Sequence, residues 1–331
     1  MMLAISHARR WMAAGLLALL ALLALPALTL AGSFPDRPVT VVVPYPAGGS
    51  LDTVGRPIAQ MFEKATGQPM ILENTGGAGG LIGAGKVAKS TPDGNTLLLA
   101  SNGQITIAPL MYKDMGYDPA RDLLPIIHLV DQTAVLYASG KSPYKTFADV
   151  VAATRATHDG IQFASSGTGS ISHLALELLA RKMGVKFNHV PYRGAAPALQ
   201  DLAGGQVPLL FTFVGSAKAL TTSGLVHPLA VASKTRLPAL PDVPTFAELG
   251  YPGVEASVWI GLMAPKGTPQ DRIQRLSEVV GGMLSQPDFQ KLMADNNMEI
   301  KGGSVRDFNA MMRDDAARWA DLAKTVNLAS K

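Results

Sequence analysis

Short apolar runs alternate with longer amphipathic stretches along most of this chain, and turns rich in glycine or proline separate them. The apolar runs contain many β-branched residues, and they predict strands at 39–43, 70–73, 96–100, 161–164, 188–190, 207–213 and 226–232. Apolar residues that recur every three or four positions predict helices over 52–66, 83–90, 146–157, 170–183, 195–203, 270–284, 287–296 and 305–325. Such alternation favours parallel, doubly wound α/β sheets.

Two longer extended segments, 126–138 and 255–263, lie on either side of the middle α/β block. The chain is therefore expected to leave a first lobe, build a second and return, with a cleft between the lobes. About 300 residues follow the N-terminal segment, which is more than a single hydrophobic core usually holds. We predict lobe I from 33–131 and 257–331, and lobe II from 132–256.

The N-terminal segment 1–32 has the pattern of a cleaved signal peptide. Arg9 and Arg10 precede the apolar run 11–25, which ends at Pro26, and small residues suited to cleavage follow. The alternative is an uncleaved membrane anchor, because the run is nearly long enough to span a bilayer. No lysine or arginine directly follows the run, so export to the periplasm with cleavage is the preferred interpretation.

Charge and cysteine content exclude several classes of partner and site. The net charge of +4 includes Arg9 and Arg10, and it falls to +2 once they are removed. The remaining basic residues are spread along the chain without runs, which argues against nucleic acid as a partner. There is no cysteine, so stability must come from packing rather than from disulfides.

The most informative pattern is a pair of glycine- and serine-rich loops, 46–52 and 164–170, that each follow a predicted strand and open a predicted helix. A helix N-terminus offers free backbone N–H groups and the positive end of the helix dipole, which together bind anions. Two such loops on separate lobes could clamp one small carboxylate. Each loop could instead only cap its helix, through Ser50 or Asp52 in the first and Ser170 in the second.

Five ordered motifs, at 43–52, 73–84, 163–174, 190–199 and 240–245, resemble the Bug family of extracytoplasmic receptors of tripartite tricarboxylate transporters. The resemblance implies a type II periplasmic-binding-protein fold, an organic-acid ligand and membrane permease subunits as partners. In that family the two loops hold a carboxylate, partly through bridging waters. Those roles would fall on Gly48, Gly49, Ser50, Asp52, Ser166, Gly167, Thr168, Gly169 and Ser170. Because a buried carboxylate would repel an anion, Asp52 is assigned a positioning role.

Further candidate ligand contacts follow or flank the predicted strands, and most have an ordinary structural alternative in a polar turn, a surface position or the core. They are Tyr45, Ser101, Asn102, Gln104, His173, Arg193, Phe213 and Trp259. Arg193 could pair with a carboxylate in a bidentate manner. Family members often carry an acidic or amide residue where this chain has Thr212 and Phe213, which argues against an amino-acid ligand and leaves room for an apolar or aromatic acid.

We therefore predict a periplasmic solute-binding receptor without a cofactor or metal. Segment 80–86 fits the start of a phosphate-binding loop, but Val87 lacks the hydroxyl that binds Mg²⁺. His173 and Glu177 lie one helical turn apart without a third metal ligand. Two alternatives remain open: an exported serine hydrolase that uses His173 with a serine of 165–170, and a ligand sensor for a membrane kinase.

Overall fold

The structure is a computed structural model that describes residues 34–157 and 159–324, so the predicted signal peptide, 1–32, lies outside the described residues. The strands are β1 (Val39–Val43), β2 (Met70–Asn74), β3 (Thr96–Ser101), β4 (Leu123–Thr133), β5 (Val135–Ser139), β6 (Ile161–Ser165), β7 (Phe187–Pro191), β8 (Leu209–Thr212), β9 (Val226–Val231), β10 (Ser257–Pro265) and β11 (Met298–Gly302). The α-helices are α1 (Ser50–Thr66), α2 (Leu81–Ala88), α3 (Ala108–Met111), α4 (Pro119–Asp122), α5 (Phe147–Ala156), α6 (Ile171–Met183), α7 (Ala195–Gly204), α8 (Val214–Thr222), α9 (Gln270–Leu284), α10 (Pro287–Asp295) and α11 (Val305–Ala323). A 3₁₀ turn (Ala78–Gly80) precedes α2, and one π-helical segment (Gly103–Ile107) follows β3.

Two sheets define two lobes. The sheet of lobe I has the strand order β11-β4-β10-β3-β1-β2, and the sheet of lobe II has the order β7-β6-β8-β5-β9. Helices pack on these sheets and bury continuous apolar cores. The predicted two-lobed α/β architecture is thus confirmed.

Both sheets contain the expected parallel strands, and each also contains antiparallel pairs, which in lobe II are those of β5 with β8 and β9. Strands β1, β2 and β3 are parallel, as are β6, β7 and β8, but β10 runs antiparallel to both β3 and β4. The reason is topological: the chain leaves lobe I on β4 and returns on β10 in the opposite direction. Since these two crossing strands lie side by side, they must pair antiparallel.

Three buried alanines lie where the chain passes between the two sheets, and their backbones are hydrogen-bonded to one another. The N–H of Ala134 donates to the carbonyl of Ala256, Ala256 to Ala232, and Ala232 to Ala134, each at 2.9 Å. Every donor and acceptor in this ring of three hydrogen bonds is satisfied, although all three residues are at most 2% exposed. Their small side chains let the three backbone segments approach closely at the position expected for a hinge.

Asp315 connects helix α11 to the returning strand β10 and to the π-helical segment. Its carboxylate accepts hydrogen bonds from the indoles of Trp259 and Trp319, at 2.9 and 2.8 Å, and from the Thr106 hydroxyl at 2.5 Å. Trp319 is 1% exposed and packs into the apolar cluster of lobe II. Trp259, a candidate ligand contact from the sequence, is therefore a core residue, 3% exposed, with its N–H committed to Asp315. Among residues 34–157 and 159–324, no helix has the length and hydropathy needed to cross a lipid bilayer.

Candidate ligand-binding cleft

A cavity lies between the two lobes, with an empty volume of about 800 Å³ that includes its opening to solvent. Lobe I contributes Tyr45, Pro46, Ala47, Gly49, Ser50, Leu51, Asp52, Ser101, Asn102, Gly103 and Val258. Lobe II contributes Ser166, Ser170, Ile171, Arg193, Gly194, Ala195, Ala196, Pro197 and Phe213.

The cavity wall is built largely from the places where parallel strands end and helices begin. Helices α1, α6, α7 and α8 follow β1, β6, β7 and β8, and residues at the start of each helix lie in the lining. The N-cap positions of α1, α7 and α8 are Gly49, Gly194 and Phe213, and none of them supplies a side-chain hydrogen bond to its helix. Their first N–H groups are therefore left for water or a ligand, and the helix dipoles favour an anion there.

The first loop is held by Asp52, which is 3% exposed. Its carboxylate accepts hydrogen bonds from the Gly48 N–H at 2.8 Å, from Asn74 at 3.1 Å and from Arg56 at 2.8 Å. Burial alone would raise the pKa of Asp52, but these hydrogen bonds and the charge of Arg56 together lower it below the ordinary value. Asp52 is thus an ionised anchor of the loop, a geometry that suits the positioning role given to it from the sequence.

Gly48, a predicted ligand contact, is not part of the cavity lining. Its N–H donates to the Asp52 carboxylate instead. Its φ of +93° explains why glycine stands there. Gly49 and Ser50, the next two residues, do line the cavity.

The second loop uses most of its N–H groups internally. Ser166 donates to Ser172 Oγ at 2.9 Å, Gly167 to Ser165 Oγ at 3.1 Å, and Gly169 to His173 Nδ1 at 3.2 Å. The structure brings Ser166 and Ser170 to the cavity wall, but not Gly167, Thr168, Gly169 or His173. The polar groups of Gly167, Gly169 and His173 are directed into the loop, so these residues support the wall from behind. Direct contact of these four residues with a ligand stays a prediction.

Two stacked imidazoles lie beneath this loop. The rings of His173 and His189 are 4.1 Å apart and nearly parallel, and His189 Nε2 lies 2.6 Å from Ser165 Oγ. The Nδ1 of His173 accepts the Gly169 N–H, so a neutral His173 carries its hydrogen on Nε2, which faces Glu177 at 3.6 Å. The predicted pairing of His173 with a loop serine as a nucleophile is absent from this arrangement. Ser165, which does meet a histidine, is fully buried.

We expect this histidine pair to make stability depend on pH. Burial, together with the neighbouring His173, lowers the pKa of His189 to about 4, from an ordinary 6.5. Between those pH values the unfolded chain binds a proton that the folded chain does not, so the free energy of unfolding falls as the pH falls. The loss should be about 2 kcal/mol, and urea unfolding at pH 7 and pH 4 measures it. A His189→Gln variant should lose measurably less over that interval, and an identical loss in both proteins would contradict the assignment.

Arg193 is the cation of the cavity wall. It is exposed, and among the described residues neither an acidic partner nor a hydrogen bond engages its guanidinium. Asp52 is the acid in the same lining, and Gly48, Asn74 and Arg56 already engage its oxygens. The wall therefore offers an unpaired positive charge, whereas the charge of its carboxylate is already paired with Arg56.

Polar residues at the end of β3 complete the lobe I side. Asn102 donates through Nδ2 to the Ser257 carbonyl at 2.9 Å. Gln104, which the sequence placed at the cleft, is fully buried behind the wall and contacts Tyr45 and Ser101. Within the residues that the structure describes, no three histidine, aspartate or glutamate side chains cluster in a way that could hold a metal ion.

Sequence reasoning missed two parts of the wall. The first is the start of α7, where Gly194, with a φ of +123°, turns the chain so that Ala195 and Ala196 face the cavity. The glycine after Tyr192-Arg193 was the available signal, since positive φ favours glycine. The second is the apolar part formed by residues such as Leu51 and Ile171, whose inward direction depends on how the helices pack.

The sequence model of the family described as "Tripartite tricarboxylate transporter family receptor" matches residues 54–328. This chain therefore belongs to the tripartite tricarboxylate transporter receptor family, a family of periplasmic solute-binding receptors rather than enzymes.

Solved structures agree with this assignment. The periplasmic binding protein BugD is 36% identical, with a TM-score of 0.85, and the match covers 90% of this chain and 100% of BugD. The Rhodopseudomonas palustris protein Rpa4515, solved with adipate, is 35% identical, with a TM-score of 0.85 and coverage of 88% and 98%. MatC from the same organism, solved with bound malate, is 33% identical, with a TM-score of 0.83 and coverage of 88% and 100%.

Proposed function

We propose that this protein captures a small organic carboxylate or dicarboxylate between its lobes and delivers it to the membrane subunits of a tripartite tricarboxylate-type transporter. The observation that carries the proposal is the cavity between the lobes, which joins uncapped helix N-termini from both lobes to the unpaired guanidinium of Arg193. Adipate and malate, the acids present in two related structures, are both dicarboxylates.

The wall also favours a particular kind of acid. Leu51, Ile171, Phe213 and Val258 give it an apolar part that suits an aliphatic or aromatic spacer. Because the lining carboxylate, Asp52, is already paired with Arg56, a dicarboxylate without an amine should bind better than the matching amino acid.

Capture by closure requires that the ligand contact both lobes. The lobes already contact each other: Lys218 of lobe II donates to the Asp295 carbonyl of lobe I at 3.1 Å. A Cβ placed on Gly79 would lie 3.6 Å from the Thr168 carbonyl. An acid that bridges the lobes stabilises the closed state by its differential affinity for it. Export with removal of 1–32 places the receptor in the periplasm, where its permease partner is reached.

A thermal-shift and calorimetric screen tests the binding step. Malate, succinate, glutarate and adipate are compared with aspartate and glutamate, which differ from dicarboxylates in the screen by an amine. A ligand that binds only the folded chain raises its melting temperature, so we expect a shift with at least one dicarboxylate and a smaller one with its amino-acid counterpart. A screen in which no acid binds would contradict the proposal. Loss of uptake of the bound acid in cells that lack this chain then tests delivery.

A further inference from the structure

A buried glutamine behind the lobe I wall has all its hydrogen-bonding positions occupied. Gln104 is 0% exposed and belongs to the π-helical segment that follows β3, and such segments are frequent at functional sites. Its Oε1 accepts the backbone N–H of Ser101 at 3.1 Å and the Ser101 hydroxyl at 3.0 Å. Its Nε2 donates to the Gly79 carbonyl at 3.2 Å and to the Tyr45 hydroxyl at 2.6 Å.

Two of these partners fix which way the amide faces. A backbone N–H can only donate, so the amide atom that meets the Ser101 N–H must be oxygen. A backbone carbonyl can only accept, so the atom that meets Gly79 must be nitrogen. Both requirements point to the same orientation, and the assignment follows from the bonding network itself.

This orientation determines what Tyr45 can do. Because both hydrogens of Gln104 Nε2 are committed, one of them to Tyr45, the phenol oxygen accepts on that side. The phenolic hydrogen is then left for an acceptor elsewhere, either the Ser101 hydroxyl oxygen or a group in the cavity that Tyr45 and Ser101 both line. Burial raises the pKa of Tyr45 more than its hydrogen bonds with Ser101 and Gln104 lower it, so the phenol keeps this hydrogen at neutral pH.

We propose that Gln104 is the positioning residue that makes Tyr45 a hydrogen-bond donor toward the ligand, and so favours carboxylate oxygens over donor groups at the lobe I wall. A carboxylate is a stronger acceptor than the Ser101 hydroxyl, so the bound acid takes the phenolic hydrogen. The inference rests on the proposed binding of organic acids and deepens it. It assigns Tyr45 as a hydrogen-bond donor to the acid and Gln104 as the buried residue that orients Tyr45.

A double-mutant cycle measured by calorimetry tests this role. The probe is the acid that binds the wild type most tightly among malate, succinate, glutarate and adipate. Tyr45→Phe removes the donor and should weaken binding about tenfold. Gln104→Met, which is close to glutamine in size, lets the phenol turn and should weaken binding about fivefold. In the Tyr45→Phe background the same Gln104→Met change should weaken binding by less than about twofold, because Gln104 acts through Tyr45.

Gln132 provides the matched control. It is another buried glutamine, 1% exposed, and it donates to the Asn296 carbonyl away from the cavity lining. Any effect of Gln132→Met should be equal in the presence and absence of Tyr45→Phe. If Gln104→Met also weakens binding equally in both backgrounds, its role is merely structural and the inference is overturned.

If Gln104→Met does not fold, Gln104→Glu replaces it in the same cycle. Glutamate keeps an acceptor for Ser101 but turns an oxygen toward Tyr45. Binding should therefore again weaken more in the wild-type background than in the Tyr45→Phe background, and equal weakening overturns the inference.

Failure of the proposed function and failure of this inference can be told apart. A wild type that binds none of the four acids contradicts the proposed function, and this inference with it. Binding that Tyr45→Phe leaves unchanged contradicts only the inference.

Discussion

Gly49→Val should weaken binding of the organic acid about 1,000-fold while leaving the protein folded. Gly49 is the N-cap of α1 and lines the cavity, and a Cβ built on it meets no atom within 4 Å. Its φ of −88° and ψ of −178° are extended backbone that valine adopts readily. The added methyl groups would therefore occupy open space beside the first N–H groups of α1, where Gly49 lines the cavity. Loss of two charge-assisted hydrogen bonds accounts for about 4 kcal/mol, which corresponds to that fold-change.

Calorimetry measures the affinity, and urea unfolding checks the fold. Valine is a poorer N-cap than glycine, so a loss of about 1 kcal/mol in unfolding free energy is expected. Gly282→Val, on an open face of α9 with no atom within 4 Å of the built Cβ, is the control and should bind as the wild type does. A folded Gly49→Val protein with wild-type affinity would remove the α1 N-terminus from the site. Gly167 is unsuited to this test, because its φ of +131° would strain valine and unfold the loop.

Arg193→Met should weaken binding by about 50-fold, the second largest effect on affinity. The guanidinium lines the cavity without an acidic partner in the described part of the chain, so it can give both hydrogen bonds of a bidentate pair to a carboxylate. Such charged bonds contribute about 1.5–3 kcal/mol. The stability of the free protein should change by less than about 0.5 kcal/mol, since an exposed residue without partners is replaced.

Arg155→Met is the matched control for charge. Arg155 is an exposed cation on α5 of lobe II, outside the cavity lining. Its removal changes the net charge equally and should alter affinity by less than twofold. An equal loss in both variants would mean that Arg193 acts only through the overall electrostatic field of the protein.

If the guanidinium holds the second carboxylate of the ligand, the Arg193→Met change should cost a dicarboxylate more affinity than it costs a monocarboxylate.

Much of the fold could be predicted from local pattern, and the exceptions have physical reasons. The β-branched run Val39–Val43 and the strongly amphipathic Gln270–Leu284 fall where the pattern places them. Helix α8 was missed because Val214–Thr222 contains glycine, serine and threonine, which favour helices weakly, and packing of Val214 and Ala217 holds it instead. Strand β11 was missed because Met298–Gly302 is short and partly charged, and it forms by pairing with β4 at the sheet edge.

The candidate site, like the fold, could be predicted from the sequence only in part. Glycine and serine after a strand indicate a helix opening at a sheet edge, and residues such as Gly49 and Ser166 do reach the cavity wall. Which N–H groups remain free depends on contacts distant in sequence, such as that between Ser165 and His189, which supports the bond from Gly167. The orientation of Gln104 likewise depends on Gly79, which lies 25 residues away. Pattern alone carries no information on such pairs.

The most direct test is a crystal structure of the protein with the tightest-binding acid of the screen. One carboxylate should lie at the N-terminus of α1 in lobe I, and the same molecule should contact Arg193 or the start of α7 in lobe II. An acid seated on one lobe alone, or bound outside the cleft, would contradict the claim that a shared anionic ligand joins the lobes.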